Sequence, residues 1–521
     1  MRWFFLPVLL AAAAPLAALA QEDTRPVTEL SLDQAMVWAL ENNLDIRIQG
    51  HLPDIRSAEV EEARSGFDPV FGTDFNVTST VNPGNPALTG RKVDENETYT
   101  YGSQVRRLTP TGGTWTVRMG GTHTVTNTPE LFRTPTIRDD PKNIDRVWRN
   151  DASLTLTQPM LRNLGFDFNR SNIHIAQNSL DQAYYTFQQQ VQDTVQQVVT
   201  AYWNLALAEE TLRVQLGSLD RVRRILDLTK LLVQEGKLAR HEIYEVESNL
   251  GRQLDQVHQS QKAYLDAEDA LKRLVAPQKT DLLWGARLGL VTRPTIARPV
   301  NPADQSARTA LEMRPELRSM DIDIKNADEA ILQARNQLLP RLDATGGITL
   351  RDFGGSGNWK NSTDTVFSTN DSSGFGWEWT AGVQFEIPIG NRPARSVYTR
   401  RVIERRQAED RLTDLQTQIV NQVREAVRDT NTTYERVDVT SRGVEAAQKR
   451  FESEELLFRE GKSDNFRLQQ FRETLLNTQI LEINARFAHA ISHIDLARSE
   501  GTILRRLRDK NIIVSGKGGS K

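Results

Sequence analysis

The chain has 521 residues, more than one hydrophobic core usually organises, so two halves, a repeat or an elongated shape is expected. Its 65 Lys and Arg against 68 Asp and Glu leave a net charge of −3, and no sustained basic block is present to neutralise phosphates, which argues against nucleic acid as a partner. There is no cysteine, which excludes disulfides, thiolate metal sites and a lipidated cysteine; no apolar run of about 18 residues follows position 20, so a membrane role would have to use strands.

The N-terminus reads as an export signal. Arg2 precedes the apolar stretch WFFLPVLLAAAAPLAALA, and Ala18-Leu19-Ala20 forms a small-residue cleavage site before Gln21. Residues 1–20 are therefore expected to be a signal peptide directing the chain to a bacterial envelope. A first helix follows, because Ser31 and Gln34 have capping-box spacing at the head of SLDQAMVWALENNLDI. Helical periodicity reaches Ala63-Arg64 and gives way to a period of two after Pro69.

Residues 70–81 place Phe71, Phe75, Val77 and Val81 on one side of a strand and Asp74, Asn76, Thr78 and Thr80 on the other. The same split predicts strands at 98–108, 114–126 and 151–158. Long connections at 82–97 and 127–150 alternate with a tight turn over Thr109–Gly113. Further along, strands at 341–351 and 374–387 flank a Gly-rich connection at 353–373. A soluble sandwich alternates equally well. Polar faces rich in Thr, Gln and charge, long and short loops in turn, and aromatic residues at Trp115, Trp377 and Trp379 favour an outer-membrane barrel with those tryptophans at the membrane interface.

Between the strand groups lies a long helical hairpin. From Val191 a ladder of alternating four- and three-residue steps runs through Val195, Val198, Tyr202, Leu205, Glu209, Leu212, Leu216, Leu219, Arg223, Leu226, Lys230 and Val233, which predicts a coiled-coil seam. A helix unbroken from about Leu180 to Glu235 would be on the order of 80 Å long at ~1.5 Å per residue. The ladder stops at Gly236 and resumes at Ile243. Moved by 225 positions, it lands on Val420, Val423, Val427, Tyr434, Val437, Val444, Phe451 and Phe458, and KLLVQEGK around Gly236 lands on ELLFREGK around Gly461. The first helix also recurs, as NPADQSARTALEMRPEL, with Ala334-Arg335 and Pro340 in the places of Ala63-Arg64 and Pro69. This internal two-fold repeat divides the chain into a first repeat at 28–276, a Pro-rich linker at 277–300, a second repeat at 301–506 and a flexible C-terminal tail at 507–521.

The order of these elements, the TQPML and EIPIG junctions at Pro159 and Pro388, the Glu-Gly-Lys tips and the closing LARSEG at 496–501 together resemble the TolC family of outer-membrane efflux proteins, over nearly the whole mature chain. The resemblance implies a mixed α+β membrane protein: a homotrimer whose β-barrel, set in outer-membrane lipid, continues into a long periplasmic α-helical coiled-coil barrel. Four strands per copy is the family norm; six are read here from the face pattern, so the extra hairpin around Thr109–Gly113 either enlarges the barrel to six strands per copy or stands outside it, and four spanning strands are the favoured expectation. The implied function is the exit duct of a tripartite efflux or type I secretion system, fed by an inner-membrane transporter through a periplasmic adaptor. Gly236, Lys237, Gly461 and Lys462 become candidate adaptor contacts at the hairpin tips. The family's acidic positions beyond the tip glycine correspond to Glu242 and Glu245 in the first repeat but to Arg467 and Gln470 in the second. In place of an all-acidic ring, a pair between Glu242 or Glu245 and Arg467 is expected at the periplasmic gate.

Catalytic patterns are lacking: the sequence holds no phosphate-binding glycine loop, no HExxH and no GxSxG. His489 and His493 have metal-ligand spacing on a helix, but no Glu follows the first and no third ligand is evident, so neither an enzyme nor a cofactor is expected. The competing readings are a periplasmic coiled-coil adaptor and a structural envelope protein. The membrane-type strands argue against the first.

Overall fold

The computed structural model describes residues 25–83, 93–126, 145–276, 282–298, 302–353 and 375–509. The expected signal at 1–20, Trp359 and both ends of the Pro-rich linker lie outside the described residues. In chain order the elements are β1 (Val27–Leu30), α1 (Leu32–Asn42), α2 (Leu44–Ser65), β2 (Val70–Pro83), β3 (Val93–Leu108), β4 (Thr114–Thr126), β5 (Asp145–Pro159), α3 (Phe166–Gln234) and α4 (His241–Val275). A short 3-10 turn at Leu282–Gly285 leads to β6 (Arg287–Leu290), α5 (Ala303–Met313), α6 (Pro315–Asn336), β7 (Arg341–Phe353), β8 (Phe375–Glu386), α7 (Arg392–Arg459), α8 (Asn465–Ser499) and α9 (Ile503–Asp509). The duplication survives as length: α1 and α5 have 11 residues, α2 and α6 have 22, α3 and α7 have 69 and 68, and α4 and α8 have 35.

Two compact units form. One comprises Met1–Gln49, Gln189–Arg314 and Gln418–Lys521, the other Gly50–Gln188 and Pro315–Thr417. In the first, the helices bury a seam of Val195, Val198, Tyr202, Leu205, Leu271, Val275, Ile483 and Phe487, joined by Leu30 and Leu288 from the parallel pair β1–β6. Ser31 caps α1 as its spacing predicts, with its hydroxyl accepting from the Gln34 amide and the Gln34 side chain accepting from the Ser31 amide. The Tyr202 hydroxyl donates to the Leu30 carbonyl at 3.1 Å and accepts from the Thr292 amide at 3.0 Å, so one buried phenol ties α3 to both flanking segments. Residues 507–509 depart from the expected flexible tail: Ile503 and Leu507, one turn apart on α9, are 1% and 3% exposed, and apolar burial holds this stretch as helix.

The seam of α3 also departs from its predicted ladder. Val191 to Leu205, Leu219 and Leu226 are buried as expected, but Leu216 is 48% exposed, and Gln215, Ser218, Val222, Ile225, Thr229 and Leu232 are buried as well. These six keep steps of three and four, each one residue before a predicted rung, so the buried stripe is broader than the ladder predicts. Sequence pattern alone picks the apolar Leu216 and Val233 because it does not reveal which of Gln215, Ser218 and Thr229 find buried partners.

The second unit holds one six-stranded antiparallel sheet in the order β2-β3-β4-β5-β7-β8. Observed strands are longer than predicted at the ends away from the helices: β3 starts at Val93 and β5 at Asp145, where cross-strand pairing to Pro83 and Thr126 extends segments that lack alternation. The hairpin around Thr109–Gly113 is no appendage. β3 pairs with β2 from Val93↔Pro83 to Arg106↔Val70, and β4 pairs with β5 from Thr114↔Thr157 to Thr126↔Asp145, so the hairpin occupies the middle of the sheet. The expectation that it stands apart from four main strands is corrected by this pairing, since β2 and β5 have no shared edge.

Glycines open slots that let side chains cross between strands on both faces. On the polar face the Arg118 guanidinium reaches over Gly102 to both Asp74 oxygens, at 3.0 and 3.2 Å. On the apolar face the Tyr101 hydroxyl passes over Gly121 and donates to Asn150, while His123 stacks on Trp148 with ring centres 3.9 Å apart. A Cβ at Gly121 would lie 2.4 Å from the Arg149 carbonyl oxygen, whereas at Gly346 it would meet nothing within 4 Å. Gly121→Ala is therefore expected to cost about 1–3 kcal/mol of overpacking and Gly346→Ala far less. The check is the temperature at which the folded form is lost in heat-modifiability gels: it should fall for the first variant and stay near that of the parent for the second.

Candidate functional site

The two helical hairpin tips, both within the first unit, have the same backbone. At the end of α3 the Gly236 amide donates to the Val233 carbonyl at 3.1 Å and the Lys237 amide to Leu232 at 2.9 Å. At the end of α7 Gly461 donates to Phe458 at 3.0 Å and Lys462 to Leu457 at 2.9 Å. Both are Schellman closures, with the glycine at φ +74° and +71°, a region that disfavours any side chain with a Cβ. Each tip lysine turns back on the preceding acid, Lys237 to Glu235 and Lys462 to Glu460, both at 2.7 Å. The repeated string EGK thus encodes a repeated cap.

Beyond the tips the repeats diverge. Asp464 caps α8 by accepting from the Arg467 amide at 2.8 Å, while Arg240, at the head of α4, makes no side-chain cap. The carboxylate that reaches across is Glu242, and what it meets is Asn465: its oxygen accepts from the Asn465 amide at 2.8 Å. The expected Glu242 or Glu245 pair with Arg467 is not formed within the chain. Arg467 is exposed, with its nearest acid the N-cap Asp464 at 3.9 Å, and Glu245 and Gln470 are also exposed. Asn465, fully buried, occupies the position from which α8 faces α4.

One feature of this bundle escaped sequence reasoning. Arg472 on α8 is 4% exposed and donates to Ser218 at 3.0 Å and Gln253 at 3.1 Å, while the Gln253 amide donates to the Gln215 side chain at 2.8 Å. Burial pulls the Arg472 pKa below the ordinary guanidinium range, with Glu473 pulling the other way. A buried charge that must be hydrogen-bonded specifies one helix register, and this polar layer marks the broadened stripe of α3. The only signal in the sequence is a polar residue at each of these helical positions, which is indistinguishable from a solvated face.

His489 is fully buried, and both of its ring nitrogens are engaged, one with the Thr433 hydroxyl at 3.2 Å and the other with the Ala297 carbonyl at 3.0 Å. The His493 ring lies 3.2 Å from it. The pair thus fastens the 291–298 segment to α8. Burial, and next the neighbouring His489, hold His493 below the ordinary histidine range, against a raising effect of the Ala297 carbonyl. A depressed pKa means the unfolded chain takes up the proton first, near ~6.5, so stability present above that value is lost as pH falls toward the folded pKa. The unfolding midpoint followed by far-UV circular dichroism should therefore drop between about pH 7 and 5, with a smaller drop in His493→Gln.

In the sheet unit, Trp377 and Trp379 are 66% and 64% exposed near the start of β8, and Trp115 is half-buried at the helix-proximal end of β4. They share one face with exposed Phe71, Phe75, Val77, Ile348, Val383 and Phe385. Such a contiguous apolar surface is outside the norm for a soluble sheet. The opposite face carries Asp74–Arg118, Arg351–Glu378 at 2.6 Å and Arg341–Asp343 at 2.6 Å.

At the strand-to-helix junctions the chain uses neutral amides. Asn163, at φ +67°, accepts through its carbonyl from Asn169 at 2.9 Å and through its side chain from Gln337 at 2.8 Å, and its amide donates to Asn336 at 2.6 Å. Asn391, at φ +38°, donates to the Leu338 carbonyl at 3.3 Å in the equivalent place after β8. Both asparagines follow the junction prolines Pro159 and Pro388 within four residues.

A sheet that exposes its apolar face, joined in sequence to duplicated coiled-coil hairpins, defines the class of outer-membrane channels with long helical extensions. Residues 145–276 and 307–502 match the outer membrane efflux protein family, more than half of the chain, and the chain belongs to that family. It is an outer-membrane exit duct for efflux. No curated protein matches the sequence. Among solved structures, the chain is similar to the CmeC outer membrane channel of Campylobacter jejuni, at 14% identity and a TM-score of 0.64, covering 93% of this chain and 90% of that one. The outer membrane protein VceC of Vibrio cholerae shows 14% identity and a TM-score of 0.63, with 90% and 96% covered. For the MtrE outer membrane channel of Neisseria gonorrhoeae the values are 14% and 0.60, with 90% and 88% covered. At such identities the likeness is one of fold.

Proposed function

We propose that three copies assemble into one continuous duct, which takes substrates from an inner-membrane transporter through a periplasmic adaptor and releases them outside the cell. The observation that carries this reading is the exposed apolar face of the sheet together with two tips of identical backbone in each copy. In a closed ring of sheets the apolar face meets outer-membrane lipid, with Trp115 toward one edge of the apolar band and Trp377 and Trp379 toward the other. Gly236-Lys237 and Gly461-Lys462 then offer the adaptor the same shape twice per copy.

The entrance is held by residues that the single chain leaves exposed. Glu242 is engaged by Asn465, so Glu245 is the carboxylate available to Arg467 of a neighbouring copy, with Gln470 beside it. An exposed pair contributes only ~0–1 kcal/mol, but three symmetric copies act on one opening. The full chain in planar bilayers should conduct. Arg467→Glu should raise single-channel conductance and sensitise cells to bulky antibiotics, and a second change, Glu245→Arg, should partly restore closure. A parent chain that assembles and never conducts would contradict the duct itself; unchanged conductance in Arg467→Glu would move the closure to other residues.

A further inference from the structure

We infer that the β3–β4 hairpin is part of the membrane wall, so that each copy supplies six strands and three copies close an eighteen-stranded barrel in which β8 of one copy pairs antiparallel with β2 of the next. The factor of three rests on the trimeric duct proposed above. The six-strand contribution rests on this chain alone.

The hairpin is hydrogen-bonded along both sides, to β2 and to β5, so removing it from the wall would require breaking two full ladders. Its turn is held level with the strand-to-helix junction. The Gly165 amide donates to the Thr111 carbonyl at 3.2 Å, the Thr111 hydroxyl donates to Gln158 at 3.0 Å, and a Cβ at Gly112 would collide with the Asn163 carbonyl at 2.2 Å. Its faces also continue those of its neighbours: Val105 and Val117 lie in one row with Phe71, Leu154, Ile348 and Trp379.

The free edges fit a second copy of the same sheet. β2 leads away from α2 and β8 leads into α7, so the two edges run in opposite directions, as antiparallel pairing needs. Inserting two strands preserves that relation; inserting one would have reversed it. The edges are 14 and 12 residues long and carry no lysine, and the only proline is the last residue of β2. Soluble proteins guard exposed edges with such residues. Asp74, Glu378 and Glu386, the acids on the polar face of these edge strands, are each paired from inside the sheet, by Arg118, Arg351 and Arg341, so the seam does not bring bare like charges together.

Perimeter supports the same count. The sheet's own unit contains four helical segments per copy, within 50–65, 166–188, 315–336 and 392–417. Side by side at 8–10 Å, four helices span roughly 32–40 Å. Six strands about 4.8 Å apart and tilted about 40° span roughly 38 Å, and four strands roughly 25 Å. Eighteen strands at that tilt enclose a backbone diameter of about 36 Å, against about 24 Å for twelve.

The absence of native cysteine makes the test clean. In the full-length protein reconstituted in lipid, single cysteines at Val105 and Val117 should react with a lipid-phase maleimide as readily as one at Val383, while Gln104→Cys and Thr116→Cys should react only from water. In a panel pairing one cysteine on β2 (Thr73, Phe75 or Val77) with one on β8 (Trp379, Ala381 or Val383), oxidation should lock subunits into covalent trimers for at least one pair. Val105 and Val117 labelled only from water, in an assembly that still sediments as a trimer, would overturn the six-strand wall and leave the duct intact. Failure of the parent to form trimers at all would overturn both.

Discussion

The structure depends on one constraint: a backbone N–H or C=O without a partner is tolerable in water and costs several kcal/mol in hydrocarbon. The six-stranded sheet pairs each inner strand on both sides and leaves β2 and β8 open. Its apolar side chains are turned outward on one face, which a soluble sheet would bury. The closed ring in lipid proposed above answers both properties, and neither is remedied by the single chain.

The helical unit uses the opposite logic. Its apolar residues are buried in a seam, and its polar residues are spent where register must be specified. Arg472 with Ser218, Gln253 and Gln215, His489 with Thr433 and Ala297, and Asn465 with Glu242 are polar contacts placed along α8, in a seam that also buries the Lys272–Glu268 pair. Long helices with a uniform apolar stripe can slip by a heptad, and a slip here would leave a guanidinium buried without acceptors. Duplication supplies the hairpins, and these unduplicated polar contacts make the two repeats distinct.

Much of this was legible in the sequence because it follows from period and punctuation. The change from helical spacing to alternation after Pro69 and Pro340, the capping box at Ser31 and the two EGK tips each correspond to a local backbone event. The breadth of the buried α3 stripe beyond Leu205, the partner of Glu242 and the membership of the β3–β4 hairpin in the sheet were not legible. Each is decided by a residue distant in sequence: Arg472 for the first, Asn465 for the second, and the β2 and β5 ladders for the third. A polar residue at a seam position carries no mark in the sequence that tells whether a partner is waiting for it, and tertiary pairing overrides local preference in strands.

The central claim is that the apolar face of the sheet is its lipid-contacting surface, and β8 tests it most directly. Spin labels placed singly from Phe375 to Glu386 in the reconstituted protein can be probed for collision with oxygen, which concentrates in lipid, and with a water-soluble nickel chelate. Oxygen accessibility should peak at Trp377, Trp379, Ala381, Val383 and Phe385, with chelate accessibility peaking at the alternate positions, both with a period of two. Equal chelate accessibility on the two faces would contradict the account and make the sheet a water-exposed domain.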